Sequence, residues 1–545
     1  MKEKTAKIIV IALSLILLMT VFIGCSEDGV KGWENREISD DLDSRYKDYY
    51  QLCVYSFADG DGDGKGDFKG ITDKLQYIAD LGFTGIWLSP IHPSPSYHKY
   101  DVIDYYDVDS EYGTLDDFDT MVKSAHKLGI SIMMDLVINH SSNQNQWFVD
   151  AFSAHKNNTV SQYEDYYTFT GDYSYETFGG YGSMPKLNLS SDLVKEEIKN
   201  IMTFWLERHD VDGFRLDAAY HYFNTNTEKN IQFLTWLNNE AKKIKSSCYM
   251  VGEVWASDTT IKSHYKEGTS IDSFFNFSLS NASGYNNLFP IITGGSAERG
   301  EQYATLVTDK ESNMSGGIDA IFAGNHDMSR VSNIGLPYYS SREESVSESL
   351  MRKHKMGIAS LYTMNGNIFS YYGNEIGLRN GINNVDIDSG DPTYRIAMNW
   401  GAEYITSHGS DFAFATYGSD TGFGEYQDLL GGVAEQRGDQ NSLYNFYRRI
   451  LLLRKQNVEI ARGESRIVPM ENAQICAIVR TYNGKSVLLV YNFDNIDSVT
   501  IDISSTLKDY KMTSLVGYLT SDNSEDVTLS NNTLKLPPYS IAVIR

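Results

Sequence analysis

Residues 213–219 read Gly-Phe-Arg-Leu-Asp-Ala-Ala, a short apolar strand that ends in an acid. Side chains alternate between the two faces of a strand, so Arg215 and Asp217 project from the same face. Helical periodicity precedes this strand over residues 193–209 and follows it over residues 227–244. A short apolar strand between amphipathic helices is typical of a parallel sheet.

The same alternation extends in both directions from this strand. Further strands are predicted at 51–57, 84–89, 131–137, 249–253, 273–277, 318–323 and 367–372, and further helices at 71–81, 115–128 and 349–364. Short strands alternating with helices over roughly 400 residues predict an α/β fold, a (β/α)8 TIM barrel.

Two segments depart from the alternation. Some 55 residues rich in Ser, Asn, Tyr and Gly separate Val137 from Leu193, so we expect a small subdomain inserted after strand 3, on the face where barrel active sites lie. After a helix at 443–455, strands at 474–480 and 486–492 flank an Asn-Gly turn and predict a C-terminal antiparallel β-sandwich. The predicted domains are the barrel (46–138 and 193–462), the inserted subdomain (139–192) and the C-terminal β domain (463–545).

Four carboxylates stand at the ends of predicted strands. The carboxyl ends of barrel strands meet at one face, so these acids should converge on one pocket. An arginine and two histidines accompany them in the same segments. The acids are Asp135, Asp217, Glu253 and Asp327, and the accompanying residues are Arg215, His140 and His326.

Glycoside hydrolysis needs such a set of carboxyl groups. One carboxylic acid protonates the leaving oxygen, and one carboxylate attacks or stabilises the oxocarbenium-like centre. Arg215 would keep Asp217 ionised, because an adjacent positive charge favours the carboxylate. Glu253, if desolvated by Trp255, would hold its proton near neutrality.

These segments resemble glycoside hydrolase family 13, the α-amylase family, from about Tyr49 to the C-terminus. Its four conserved regions are matched in order by Asp135…Asn139-His140, Gly213–Leu216 with Asp217, Glu253, and Asn325-His326-Asp327. The resemblance implies that Asp217 is the nucleophile, Glu253 the general acid and then base, and Asp327 a third acid that grips sugar hydroxyls. It also implies that Tyr100, His140, Arg215 and His326 bind the same sugar, with Asp135 as structural support.

A second group of acids lies in the loop 59–67, Asp-Gly-Asp-Gly-Asp-Gly-Lys-Gly-Asp. Alternating carboxylates in a glycine-rich loop suit a hard cation, although a solvated acidic turn is the alternative. Gly70 stands where an EF-hand has its last Glu, so an EF-hand does not fit. The oligoglucosidase-like branch of the family has a calcium loop here, which implies ligands from Asp59, Asp61, Asp63, the Lys65 carbonyl and Asp67. Many amylases hold another calcium ion near Asn139 and the His221 carbonyl, and the sequence leaves that site open.

Four positions bear on specificity through the same resemblance. Tyr97 stands where exo-acting α-glucosidases have an Asp that seals the pocket, which implies an open cleft. Ala218 follows the nucleophile where valine marks a preference for α-1,6 bonds, so α-1,4 bonds are implied. Residues 184–188, Met-Pro-Lys-Leu-Asn, resemble the neopullulanase and cyclomaltodextrinase signature. Tyr220 replaces a lysine that contacts the leaving-side sugar in many amylases.

The sequence therefore predicts an α-amylase, with retaining, endo-acting hydrolysis of α-1,4 bonds in starch-like glucans and maltooligosaccharides. A neopullulanase or cyclomaltodextrinase, or an α-glucosidase or transglycosylase, is the alternative. A non-catalytic sugar-binding relative would have lost acids that are all present here. The net charge of −25 argues against nucleic acid as a partner and leaves a neutral glucan unaffected. A monomer is the working expectation.

The N-terminus resembles a bacterial export signal. Three lysines within the first seven residues precede an apolar run at 8–23, which is shorter than the roughly 20 residues that span a bilayer. The run ends in Phe-Ile-Gly-Cys, which resembles a lipobox with Cys25 as its acylated residue. We expect a lipoprotein signal peptide at 1–24, a polar tether at 25–45 and a lipid-anchored protein on the extracellular face of the cell envelope. An uncleaved signal anchor is the alternative.

Overall fold

Eight parallel strands close a barrel in the computed structural model, which describes residues 45–265, 270–280, 288–311, 317–335, 347–380, 393–401 and 430–545. The strands are β1 (Tyr49–Leu52), β2 (Gly85–Leu88), β3 (Ser131–Leu136), β4 (Gly213–Leu216), β5 (Tyr249–Gly252), β6 (Ser273–Phe275), β7 (Ile318–Phe322) and β8 (Asn367–Tyr371). Each strand pairs in parallel with its neighbour in sequence, and β8 pairs with β1 to complete the circle. The predicted TIM barrel is confirmed.

Helices surround the barrel. The longer ones are α1 (Phe68–Leu81), α2 (Leu115–Lys127), α3 (Asp192–Thr203), α4 (Thr227–Ile244), α5 (Asp258–His264), α6 (Arg299–Glu311), α7 (Glu348–Tyr362) and α8 (Leu443–Gln456). Short helices lie at Val54–Phe57, Phe289–Thr293, Val331–Gly335, Val433–Arg437 and Glu459–Arg462, and another, Ser504–Tyr510, lies in the C-terminal β region. Local signals set several boundaries: Thr114 and Asp117 form a capping box at the start of α2.

The strand predicted at 51–57 is wrong in its second half. β1 ends at Leu52, and Val54–Phe57 form one turn of helix. All four residues of that turn are buried, so the apolar run continues across the boundary and periodicity does not mark it. The helix predicted at 193–209 is α-helical only in its first part. α3 ends at Thr203, and a wider π-helical turn follows at Phe204–Arg208.

Aromatic side chains fill the interior of the barrel. Tyr49 stacks on Phe369 and Tyr249, with ring centroids 4.8 and 5.7 Å apart. Trp87 packs against Phe275 at 5.2 Å. Because the interior is solid, a ligand can reach only the ends of the strands, and the polar side chains predicted for the site stand at the carboxyl ends.

An inserted segment, residues 137–191, connects β3 to α3. It contains the helix Gln146–Asn157 and a small hairpin of Phe169–Gly171 with Ser174–Tyr175. Antiparallel bridges join His140 to Lys186 and Tyr167 to Leu187. The end of the segment therefore returns to the carboxyl end of β3, where the segment began.

Two antiparallel sheets form the C-terminal region. Its strands are β9 (Glu464–Val468), β10 (Ile475–Tyr482), β11 (Lys485–Asn492), β12 (Val499–Asp502), β13 (Leu515–Thr520), β14 (Thr528–Ser530), β15 (Thr533–Leu536) and β16 (Ser540–Ile544). Five strands pair in the order β9-β10-β11-β16-β13 and three in the order β12-β15-β14. Apolar side chains from both sheets share one core. Asn483 and Gly484 both have positive φ, as the predicted two-residue hairpin turn requires.

Within the described ranges, no helix is both long and apolar enough to cross a bilayer. The predicted signal peptide, and Cys25 with it, lie outside the described residues.

Candidate active site

One buried guanidinium contacts three of the four predicted acids. Arg215 Nη1 lies 2.6 Å from Asp135 Oδ1 and 2.6 Å from Asp217 Oδ1. Its Nη2 lies 3.1 Å from Glu253 Oε2. Arg215 is 1% exposed, so these charges interact in a low dielectric. Three carboxyl groups around one cation favour a state in which one of them keeps its proton.

Asp217 follows β4 directly, and two features of its environment shift its pKa in opposite directions. Burial raises the pKa of Asp217, and the Arg215 guanidinium opposes that rise through its charge and hydrogen bond. The next residue, Ala218, has a left-handed backbone with φ of 48°. This turn lets the Ala218 amide donate a 2.9 Å hydrogen bond to Glu253 Oε2, which fixes Glu253 beside the end of β4.

Glu253 follows β5 and, with Asp135, is one of two acids in this group whose pKa burial raises to about 7. Burial, with the nearby Asp217 charge, raises the pKa of Glu253 to about 7 against the opposing charge of Arg215. Trp255, predicted to desolvate Glu253, stacks on Phe277 at 4.9 Å and is 37% exposed.

His326 and Asp327 follow β7 on the opposite side of the pocket. Burial lowers the pKa of His326 to about 3, so its ring is neutral. Its Nδ1 lies 2.7 Å from Gln51 Nε2, and its Nε2 lies 2.5 Å from the Tyr100 hydroxyl. Burial alone would raise the pKa of Asp327, but the guanidiniums of Arg395 and Arg215 lower it. The pKa of Asp327 is therefore lowered, whereas burial raises those of Asp135, Asp217 and Glu253.

Tyr100 contacts both Asp135 and His326 through its hydroxyl group. Its hydroxyl lies 3.3 Å from Asp135 Oδ2, and its ring is parallel to that of His326 at 5.8 Å. Its backbone carbonyl accepts a 3.2 Å hydrogen bond from His140 Nε2. The structure thus brings together every residue predicted for the sugar site.

Comparison with known proteins agrees with this geometry. The profile of the family described as "Alpha amylase, catalytic domain" matches residues 51–463. Alpha-amylase 3 of Dictyoglomus thermophilum is 32% identical over 516 residues, which cover 91% of this chain and 92% of that protein. The chain belongs to the alpha-amylase family.

Solved structures of alpha-amylase relatives share the fold along nearly the whole chain. Eubacterium rectale Amy13B superposes with a TM-score of 0.80 at 36% identity and covers 94% of this chain and 96% of that chain. The alpha-amylase from H. orenii superposes with a TM-score of 0.72 at 30% identity and covers 92% of this chain and 99% of that one.

Two residues of this alpha-amylase-family site escaped sequence reasoning. Arg395 Nη2 donates to Asp327 Oδ1 at 2.8 Å, and its Nε donates to the His326 carbonyl at 3.0 Å. Arg395 also lies over the Tyr97 ring, with 5.6 Å from Cζ to the centroid. Gln51, in β1, contacts His326. Neither residue follows a strand end or belongs to a recognised motif, so spacing offered no signal.

The sequence left open a second calcium ion near Asn139 and the His221 carbonyl, and in the structure a lysine contacts that carbonyl. Lys186 Nζ donates to the His221 carbonyl at 2.9 Å and to Asn224 Oδ1 at 3.0 Å. Lys186 is buried. An ammonium therefore provides the positive charge beside the His221 carbonyl.

The acidic loop lies apart from these residues, before α1. Asp59, Asp61 and Asp67 each place one carboxylate oxygen within 4.8 Å of the others. Asp63 is outside this group, and its Oδ1 accepts a hydrogen bond from the Lys65 amide. The Lys65 side chain turns to Glu111, with 2.6 Å between Nζ and Oε1.

Proposed function

We propose that this chain catalyses retaining, endo-acting hydrolysis of α-1,4-glucosidic bonds in starch-like glucans and maltooligosaccharides. The observation that carries the proposal is the contact of one guanidinium, Arg215, with both Asp217 and Glu253. Two carboxyl groups held this closely suit covalent catalysis by one of them, whereas inverting enzymes separate them to admit a water.

In the first step, Glu253 donates its proton to the glycosidic oxygen while an Asp217 oxygen attacks the anomeric carbon. The bond from the anomeric carbon to the leaving oxygen breaks, and the leaving sugar departs as an alcohol. Arg215 favours the ionised form of Asp217 that this attack requires. A pKa of Glu253 near 7 keeps a large share of its carboxyl groups protonated in neutral solution.

In the second step, Glu253 has lost its proton and acts as the base. It accepts a proton from water as the water oxygen attacks the anomeric carbon and releases Asp217. Two displacements on one carbon retain its configuration. Each carboxyl group returns to its starting protonation state, so the cycle closes.

Two further residues would hold the reacting sugar. Asp327 stays ionised between His326 and Arg395, which suits hydrogen bonding to sugar hydroxyls. Tyr100 offers a ring whose apolar surface suits the CH groups of a sugar. Both residues are fixed by contacts with His326, so the sugar would meet a preorganised surface.

A chromatographic time course of products from soluble starch tests the proposal, using protein that begins after Cys25. We expect oligosaccharides of mixed length at the earliest times and a fast fall in viscosity. Glucose or maltose alone from the start would replace the endo-acting proposal with an α-glucosidase or maltogenic activity. Cleavage of pullulan or cyclodextrin in preference to starch would favour the neopullulanase alternative. A folded protein without hydrolysis would favour a sugar-binding role.

We also propose that the acidic loop binds calcium. The donor set supports this proposal. One carboxylate oxygen from each of Asp59, Asp61 and Asp67 lies within 4.8 Å of the other two, and carboxylates are the ligands that calcium prefers. Bound calcium would neutralise these charges and fix the loop ahead of α1. No catalytic step involves it.

Anchoring through an acylated Cys25 is a separate proposal, supported by the lipobox-like sequence Phe-Ile-Gly-Cys. Expression with radiolabelled fatty acid in a bacterial host tests it. We expect label in the wild type and none in Cys25→Ala. An unlabelled wild type that keeps residues 1–24 would support the uncleaved signal anchor instead.

A further inference from the structure

An exposed tyrosine stands in a short, well-defined loop of the inserted segment. Tyr181 is 64% exposed, and all of residues 179–183 are exposed. The loop is nevertheless closed by backbone hydrogen bonds. The Tyr181 amide donates to the Phe178 carbonyl at 3.0 Å, and the Met184 amide donates to the Tyr181 carbonyl at 2.9 Å. Tyr181 therefore stands between two consecutive turns and has a fixed backbone.

Two glycines precede Tyr181 in this loop, and one of them lies against its ring. Gly179 and Gly180 have φ of 59° and 82°, the left-handed pair that a type I′ turn requires. A Cβ added at Gly179 would lie only 2.9 Å from Cδ2 and Cε2 of Tyr181. The ring thus rests directly on the Gly179 backbone, while most of its surface remains open to solvent.

The base of this loop forms part of the candidate active site. The Phe178 ring stacks on His140, with 4.9 Å between centroids and 6° between planes. It also meets the His221 ring edge-on at 5.9 Å. Burial lowers the pKa of His221, and the charge of the Glu253 carboxylate opposes this fall. The two side chains therefore lie close together. The base of the loop therefore borders the pocket on the side of Glu253, where the leaving sugar would stand.

We propose that Tyr181 is a sugar platform for a glucosyl unit on the leaving-group side of the scissile bond, beyond the reacting sugar. The inference rests on the proposed α-glucan hydrolysis and adds a binding position to it. A rigid ring with an open face binds the CH surface of a glucose ring by apolar contact, and its hydroxyl can bond a sugar hydroxyl. Because two turn hydrogen bonds hold the Tyr181 backbone and the ring lies against Gly179, less conformational entropy is lost on binding than for a tyrosine in an open loop.

The test compares Tyr181→Ala with Tyr173→Ala on a series of maltooligosaccharides of increasing length. Tyr173 is a matched control, since it is 74% exposed in the same inserted segment but carries Lys156 over its ring. We expect Tyr181→Ala to raise KM for long substrates by about three- to tenfold, with a smaller change in kcat and a smaller effect on short substrates. Tyr181→Phe should keep most of the wild-type affinity, and Tyr173→Ala should match the wild type.

The outcomes separate the platform from the proposed function. A folded wild type that does not cleave glucans would overturn the proposed function, and the platform with it. Wild-type cleavage with equal KM values in Tyr181→Ala would overturn the platform alone. An equal loss in Tyr173→Ala would also overturn it, because the effect would then come from the inserted segment as a whole.

Discussion

The side-chain ammonium of Lys186 donates a 2.9 Å hydrogen bond to the backbone carbonyl of His221. Lys186 belongs to the inserted segment, and His221 belongs to the loop that follows Asp217. Among the described residues, no carboxylate lies within ion-pair distance of Lys186, and its other acceptor is the amide oxygen of Asn224. A buried cation with neutral oxygen partners therefore joins the inserted segment to the loop behind the predicted nucleophile.

Replacing Lys186 by Met should lower both stability and activity. The His221 carbonyl would lose its charged donor, at a cost of about 1–3 kcal/mol in the free energy of unfolding. The loop carrying Ala218 would lose a support, and a small displacement of Asp217 should lower kcat by roughly 10- to 100-fold. Thermal melting and starch hydrolysis measure the two effects. Lys123→Met is the control, because Lys123 is a surface residue with a 71% exposed side chain.

Asp217→Asn should abolish turnover and leave the fold intact. An amide cannot form the covalent glycosyl intermediate, so kcat should fall by roughly 10⁴-fold or more. Circular dichroism and melting temperature should stay close to the wild type, because Asn can still accept the hydrogen bond from Arg215. A substantial residual rate in enzyme free of wild-type contamination would reject Asp217 as the nucleophile.

The pH dependence of kcat/KM should report Glu253. The acid form is needed for the first step, and the pKa of Glu253 is about 7, so activity should be lost as pH rises through that value. Above the pKa, kcat/KM should fall about tenfold per pH unit. Glu253→Gln should remove this limb. Its rate loss should be smaller with a nitrophenyl leaving group, which departs without a proton. A profile that stays flat to pH 9 would contradict the assignment.

Removal of calcium should lower the melting temperature if the acidic loop binds it. An ion bound only to the folded state at 100 times its Kd adds about 2.7 kcal/mol to stability. Asp61→Asn should weaken the response to chelation, whereas Asp73→Asn, an exposed acid on α1, should respond as the wild type does. Elemental analysis must confirm that the metal has gone. An unchanged melting curve after that step would exclude the site.

Local sequence was sufficient to predict the barrel and the approximate position of each strand. It was insufficient where burial was uniform. Val54–Phe57 are all buried, and an apolar run without alternation has the same appearance in a strand and in a buried helical turn. Trp255 illustrates a different limit. The sequence suggested that it desolvates Glu253, whereas its stacking partner Phe277 is known only from the structure.

The sequence by itself determined which acids end parallel strands, because strand period and barrel topology bring those ends to one face. It could not determine how strongly each acid holds its proton. That depends on burial and on partners from distant segments, such as Arg395, 68 positions from Asp327 along the chain. Electrostatic energies depend on distance in space and on local dielectric, neither of which follows from spacing along the chain. Only the tertiary structure therefore decided that Arg215 would contact three acids, and that Lys186 would lie against the His221 carbonyl.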